Sequence, residues 1–208
     1  MKDKTSIQEE CLERIIPLKR CGAAISMGVG KTLLGLKHMN KMYESGARKF
    51  LVVAPKRSIF KSWTEDAAKF EMEHLIPCIK FCTYIGLPKQ KTEYDVIYLD
   101  ECHSLLYSHQ GYLDTHNGGI LGLTGTAPKW AGSEKGIMVD TYCPIAYEYI
   151  TDDAVDDGIL NDYRIIVHRL PLDSANNYLK KTKQGGQWMT SELNDYQFWG
   201  KRIDASTS

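Results

Sequence analysis

Four short, largely apolar runs, Cys21–Ile25, Phe50–Ala54, Asp95–Leu99 and Gly119–Thr124, punctuate the first 124 residues. None alternates apolar with polar side chains, as a strand with one wet face does, so each suits a strand covered on both faces. Lys80–Tyr84 reads as a further strand, followed by a polar turn around Pro88. The intervening segments carry helical spacing. Ile7, Cys11, Leu12, Ile15 and Ile16 precede the first run, with Ser6 as the expected cap. A helix is expected from Lys31 to about Tyr43, stopped by Ser45-Gly46, and another carries Ile59, Trp63, Ala67 and Phe70 on one side. This succession predicts an α/β domain with a mostly parallel central sheet flanked by helices on both faces. Ligands of such sheets collect outside the carboxyl ends of the strands, and there the chain places its polar and glycine-rich segments.

A chain of 208 residues holds one large domain, or one domain and an appendage. Its 43% hydrophobic and 25% charged residues exclude a disordered or collagenous chain. No apolar run approaches the roughly 20 residues of a membrane span, and the charged start Met1–Ser6 is no secretory signal. Basic and acidic residues balance at 26 each, a sum that neither favours nor excludes nucleic acid, because the local field decides. The six cysteines lack C-x-x-C spacing and read as reduced thiols of a cytoplasmic protein.

The most specific local signal is Met27-Gly28-Val29-Gly30-Lys31-Thr32, set between a strand and a helix. Glycines let main-chain N–H groups close around phosphate oxygens, and the helix N-terminus adds positive partial charge there. In such a loop Lys31 reaches the β- and γ-phosphates and the Thr32 hydroxyl binds Mg²⁺. The strict pattern wants a glycine five residues before Gly30, where this chain has Ile25. Asp100-Glu101, at the end of the third run, supplies the other half of an ATP-hydrolysing site. Asp100 is expected to hold Mg²⁺ and Glu101 to orient and deprotonate the attacking water. His103, two residues on, is either a coupling residue or a surface histidine. Lys56, Arg57 and Lys61 form a basic cluster beside Trp63, suited to nucleic-acid phosphates; the alternative is solvated helix charge around a core tryptophan. Lys129-Trp130 and Lys180-Lys181 with Lys183 are similar candidates.

Three segments together carry a resemblance. Met27–Thr32, Asp100-Glu101-Cys102-His103 and Leu123-Thr124-Gly125-Thr126-Ala127-Pro128 resemble, in order, motifs I, II and III of superfamily 2 helicases and translocases. The Swi/Snf-like group with its bacteriophage members is the most similar in flavour, and the box is DEAH-like with cysteine for alanine. Val52–Lys56 with Pro55, and Trp63 beyond, resemble motif Ia and the tryptophan that follows it, a segment that lies along a nucleic-acid backbone in this family. The resemblance spans roughly residues 5 to 170 and implies one RecA-like lobe, ATP and Mg²⁺ as cofactors, and work on DNA, with RNA possible. It implies that Thr124 and Thr126 couple nucleotide state to the nucleic-acid groove. Gln8 takes the place of the adenine-reading glutamine, unless it is an ordinary helix-surface residue.

Enzymes of this kind bind ATP between two lobes, and the second supplies arginine fingers. No Gln-x-x-Gly-Arg-x-x-Arg stretch occurs here. The expectation is an N-terminal fragment, or a lobe completed in cis or trans by a partner, weak or inactive by itself. Residues 1–170 are expected to form the lobe and 171–208 an extension or the start of a linker. Within that boundary Tyr163–Leu170 reads as an edge strand; beyond it Gly185-Gly186 reads as a turn, with Trp188 and Trp199 as anchors. The expected setting is the cytoplasm, that of a bacterial host if the chain is phage-encoded. Two competing readings remain, a viral DNA-packaging-type motor ATPase and a nucleotide-binding switch without activity of its own.

Overall fold

The computed structural model describes residues 2–90, 93–128 and 132–161. Six parallel strands form one sheet in the order β3-β2-β4-β5-β1-β6. They are β1 (Arg20–Ile25), β2 (Phe50–Ala54), β3 (Ile79–Thr83), β4 (Val96–Asp100), β5 (Gly119–Thr124) and β6 (Ile145–Tyr149). The helices are α1 (Lys4–Ile15), α2 (Lys31–Glu44), α3 (Ser58–Lys69), α4 (Gln110–Thr115), α5 (Glu134–Tyr142) and α6 (Thr151–Asp156).

Successive strand residues point to opposite faces, and both faces are covered. Phe50, Val52, Tyr98, Leu121 and Leu123 pack with Ile7, Cys11 and Ile15 of α1, Leu34 and Met39 of α2, and Trp63 and Ala67 of α3. Their neighbours Leu51, Val53, Ile97, Leu99 and Ile120 pack instead with Leu113 of α4 and Met138, Val139 and Tyr142 of α5. The apolar runs are continuous because each strand feeds two cores.

Two local expectations need correction. The cap of α1 is Asp3, not Ser6. The Asp3 carboxylate accepts the Ser6 N–H at 2.7 Å, and the Ser6 hydroxyl accepts the Asp3 N–H at 3.1 Å. Ser6 thus occupies the third helical position of a reciprocal capping box. Strand β6 was not anticipated: Ile145-Ala146-Tyr147-Glu148-Tyr149 has only two buried residues and lacks the apolar continuity that marks the four central strands. The residue-170 boundary, the Tyr163–Leu170 strand, the 171–208 extension, Lys129-Trp130 and the Lys180–Lys183 group lie outside the described residues.

The register sets the site. Thr124 on β5 pairs with Ala24 on β1, and Leu123 pairs with Asp100 on β4. The ends of β4, β5 and β1 therefore stand side by side. At about 4.8 Å per strand, roughly 10 Å separates the first from the third.

Candidate nucleotide and nucleic-acid site

The loop after β1 turns through two left-handed glycines, Gly28 at φ +89° and Gly30 at φ +96°. A side chain at either position is strained, so both must be glycine for this turn. Helix α2 starts on Gly30 with no side-chain cap, leaving first-turn N–H groups for an external acceptor. Met27 stands 75% exposed, whereas the Val29 side chain is buried, so Val29 offers the loop only its backbone. Ile25, where the strict motif has glycine, is the last residue of β1 and belongs to the core. The Ser26 N–H donates to the Tyr149 carbonyl at 2.9 Å, so the unanticipated β6 anchors the entry to the loop. Leu160 covers it from the far end of the lobe: its Cδ2 lies 3.0 Å from where a Cβ on Gly28 would sit.

Gln8 is buried, not a surface residue. Its amide nitrogen donates to the Val29 carbonyl at 2.7 Å, and its oxygen accepts from Lys37 Nζ at 2.8 Å. Helices α1 and α2 thereby share one hydrogen-bonded clamp on the glycine loop.

Lys31, Glu101, His103, Thr124 and Thr126 form a chain of contacts across the three strand ends. Lys31 Nζ lies 3.2 Å from Glu101 Oε1, and Glu101 Oε2 lies 3.5 Å from His103 Nδ1. His103 Nδ1 is 2.9 Å from Thr124 Oγ1. The Thr124 hydroxyl donates to the Thr126 carbonyl at 2.9 Å and accepts the Thr126 N–H at 3.2 Å. The Thr124 hydroxyl thus meets both His103 and the Thr126 backbone. Gly125 makes room for the lysine, since a Cβ there would lie 2.9 Å from Lys31 Nζ.

Glu101 reaches this position at φ +53°, one of two non-glycine residues with positive φ among the described residues. That conformation costs about 1–3 kcal/mol and persists where surrounding contacts over-determine it. Asp100 is 6% exposed. Burial pushes its carboxyl above the usual carboxylate range and Glu101 adds to this, while the Trp63 N–H and Lys31 hold it back. Its Oδ2 accepts the Trp63 Nε1–H at 2.9 Å, and its backbone carbonyl accepts the Tyr84 hydroxyl at 3.0 Å. A carboxylate has about four acceptor positions, so one indole bond leaves capacity for a metal's water. Among the described residues no three carboxylate, histidine or cysteine side chains gather into a metal cage. Magnesium needs none: one or two carboxylates with the substrate's phosphates suffice, and Asp100 with half-buried Thr32 fits that requirement.

Trp63 is corrected as a nucleic-acid contact. It has no exposed surface and packs in the core, so it presents no ring to a ligand. Pro55, Lys56, Arg57 and Lys61 are exposed at the carboxyl end of β2 and the start of α3. Thr126 is exposed too, while Thr124 is fully buried. Sequence reasoning missed Lys37, Tyr84, Gly125 and Leu160. Gly125 carried a signal, its place inside a motif already singled out.

Residues 2–83 match the family model described as Type III restriction enzyme, res subunit. No curated protein matches the chain. Several solved structures share its fold. A nuclease-deletion mutant of the Type ISP restriction-modification enzyme LlaGI, in complex with a DNA substrate mimic, matches 76% of this chain at 15% identity and a TM-score of 0.56. The UvsW helicase of bacteriophage T4 matches 68% at 15% identity and TM-score 0.58. The SWI2/SNF2 ATPase core of Sulfolobus solfataricus, in complex with double-stranded DNA, matches 64% at 20% identity and TM-score 0.52. The aligned part spans 20%, 58% and 34% of those three chains respectively. The described residues form an α/β, RecA-like fold, the one these solved structures share. Among the described residues no helix is long and apolar enough to cross a membrane.

Proposed function

We propose that this chain is the ATP-binding lobe of a nucleic-acid-dependent ATPase, a helicase or translocase acting on DNA. The observation that carries the reading is the Lys31–Glu101 ion pair, which brings the glycine loop against the acid pair and continues through His103 to Thr124. In this reading the loop N–H groups and Lys31 bind the triphosphate, and Gln8 holds the loop. Thr32 and Asp100 would hold Mg²⁺, which neutralises phosphate charge when bound. Glu101 accepts the proton of the attacking water. Lys31 bridges to Glu101 before ATP arrives and must exchange that partner for phosphate oxygens, freeing the carboxylate. His103 senses that release and passes it to Thr124 and exposed Thr126. Pro55, Lys56, Arg57 and Lys61 supply the backbone-facing surface for DNA, and a second RecA-like lobe, in cis or trans, supplies arginine fingers.

Two measurements test this. A fluorescent ATP analogue should bind the chain with Mg²⁺ present, and Lys31→Ala should abolish binding without lowering the melting temperature. With a second lobe supplied, duplex DNA should raise ATP turnover, and its binding should weaken steeply with salt as counterion release demands. Equal binding by Lys31→Ala overturns the phosphate-loop assignment. Tight binding without turnover in the presence of DNA, RNA or a supplied second lobe makes the chain a nucleotide switch. Stimulation by RNA alone replaces DNA as the partner.

A further inference from the structure

Trp63 touches both halves of the site without facing either ligand. Its Nε1–H donates to Asp100 Oδ2 at 2.9 Å, on β4. The opposite edge of its ring enters a notch in α2, the helix that begins at the glycine loop: a Cβ on Gly35 would lie 2.5 Å from Cη2 and 3.2 Å from Cζ3 of the indole. Tyr98, two residues before Asp100, meets the ring edge-on at 6.0 Å. A glycine inside a 14-residue helix costs about 1 kcal/mol relative to alanine. The close approach of this indole supplies the reason for it.

Phenylalanine or leucine would also be apolar here, but only tryptophan both reaches the Gly35 notch and brings a donor to the carboxylate. A buried acceptor left without that donor keeps its desolvation penalty and loses its fixed orientation. We infer that Trp63 is a positioning residue for magnesium: its indole N–H sets the Asp100 carboxylate, and its wedge against Gly35 sets that carboxylate's distance from the phosphate-binding helix. The inference rests on the proposed ATP reading and deepens it. It also links Trp63, in the middle of α3, with the exposed basic cluster at the start of that helix.

The test replaces Trp63 with β-(3-benzothienyl)alanine, which keeps the ring shape and exchanges the N–H for sulfur, and separately with Phe. Binding of a fluorescent ATP analogue is titrated with Mg²⁺ in each, and metal-free affinity is measured in EDTA. Groups that orient a metal's ligands typically contribute 10–100-fold to metal affinity. The expected result is a Mg²⁺ midpoint raised about tenfold or more, with the loss falling on that midpoint rather than on metal-free affinity. A benzothienyl variant with an unmoved midpoint overturns the inference, as does an equal loss with and without metal, which marks a packing role. If the unaltered chain shows no Mg²⁺-dependent nucleotide binding, the ATP reading itself fails and takes this inference with it. The benzothienyl variant decides the matter even if Trp63→Phe does not fold.

Discussion

The two faces of the sheet are equally well buried and differently employed. The face under α1, α2 and α3 joins its core to the site: Gln8, Lys31, Lys37 and Trp63 all come from those helices. The face under α4 and α5 contributes close packing. A Cβ on Gly122 would lie 2.6 Å from Cys143 Sγ and 3.1 Å from Cys102 Sγ, so the backbone of β5 and two buried thiols meet without room for a methyl group. Burial pushes the Cys11 and Cys21 thiols of the first face up to about 12 and about 11, and the Cys143 thiol of the second also rises, through its hydrogen bond with Cys102 and burial. Equal burial therefore does not mark function. What separates the faces is that Gln8, Lys31, Lys37 and Trp63 reach the site by their side chains from the first, while from the second the Tyr84 hydroxyl meets the Asp100 backbone carbonyl.

Substitutions at the site end of the first face should move chemistry while leaving the fold intact. The largest effect is expected for Glu101→Gln, which should lower DNA-stimulated ATP turnover by about 10²–10⁴-fold, the usual contribution of a positioned base, with nucleotide binding retained. Retained turnover transfers the base role to another group.

His38 on α2 probes the same face away from the site. It is 4% exposed and contacts the Tyr98 hydroxyl at 3.0 Å. Burial holds it at about 4, below the ordinary 6.5. The unfolded chain then binds a proton that the folded one refuses, so stability is full above about pH 6.5 and falls as pH drops towards 4. The loss across that window is about 3 kcal/mol, read from urea unfolding. His38→Gln should flatten that part of the profile; an unchanged slope assigns it to other groups.

On the second face, Gly122→Ala should cost about 1–3 kcal/mol by overpacking, seen as a lower melting temperature with unchanged nucleotide affinity in the folded fraction. A selective loss of affinity would dissolve the contrast between the faces. The smallest effect is expected on the surface. Lys61→Ala breaks an exposed pair with Glu65 at 3.3 Å and should change stability by less than about 1 kcal/mol. If Lys61 contacts a phosphate, the salt slope of DNA binding should fall by about one.

Much of this was legible in the chain itself. The runs at 21–25, 50–54, 95–99 and 119–124 mark four central strands, because strands covered on both faces are apolar along most of their length. The glycine loop, the acid pair and the threonines were legible as motifs because backbone turns and charges demand particular residue types. Edge strand β6 was not, since an exposed Glu148 between buried Tyr147 and Tyr149 leaves no continuous apolar run. Gln8 and Trp63 each admitted two readings, for helical spacing gives a side chain a face without naming what it meets there.

The order of residues alone determined the strand-and-helix alternation and the chemical inventory at the strand ends: a glycine turn, a lysine, two acids and a threonine pair. Only the tertiary structure decided that β4, β5 and β1 are neighbours, that Lys31 spans them to Glu101, and that Trp63 turns inward to Asp100. The reason is that backbone preference and burial act over a few residues, whereas these contacts depend on strand order and on close approaches, such as Gly35 against the indole, between segments far apart in the chain.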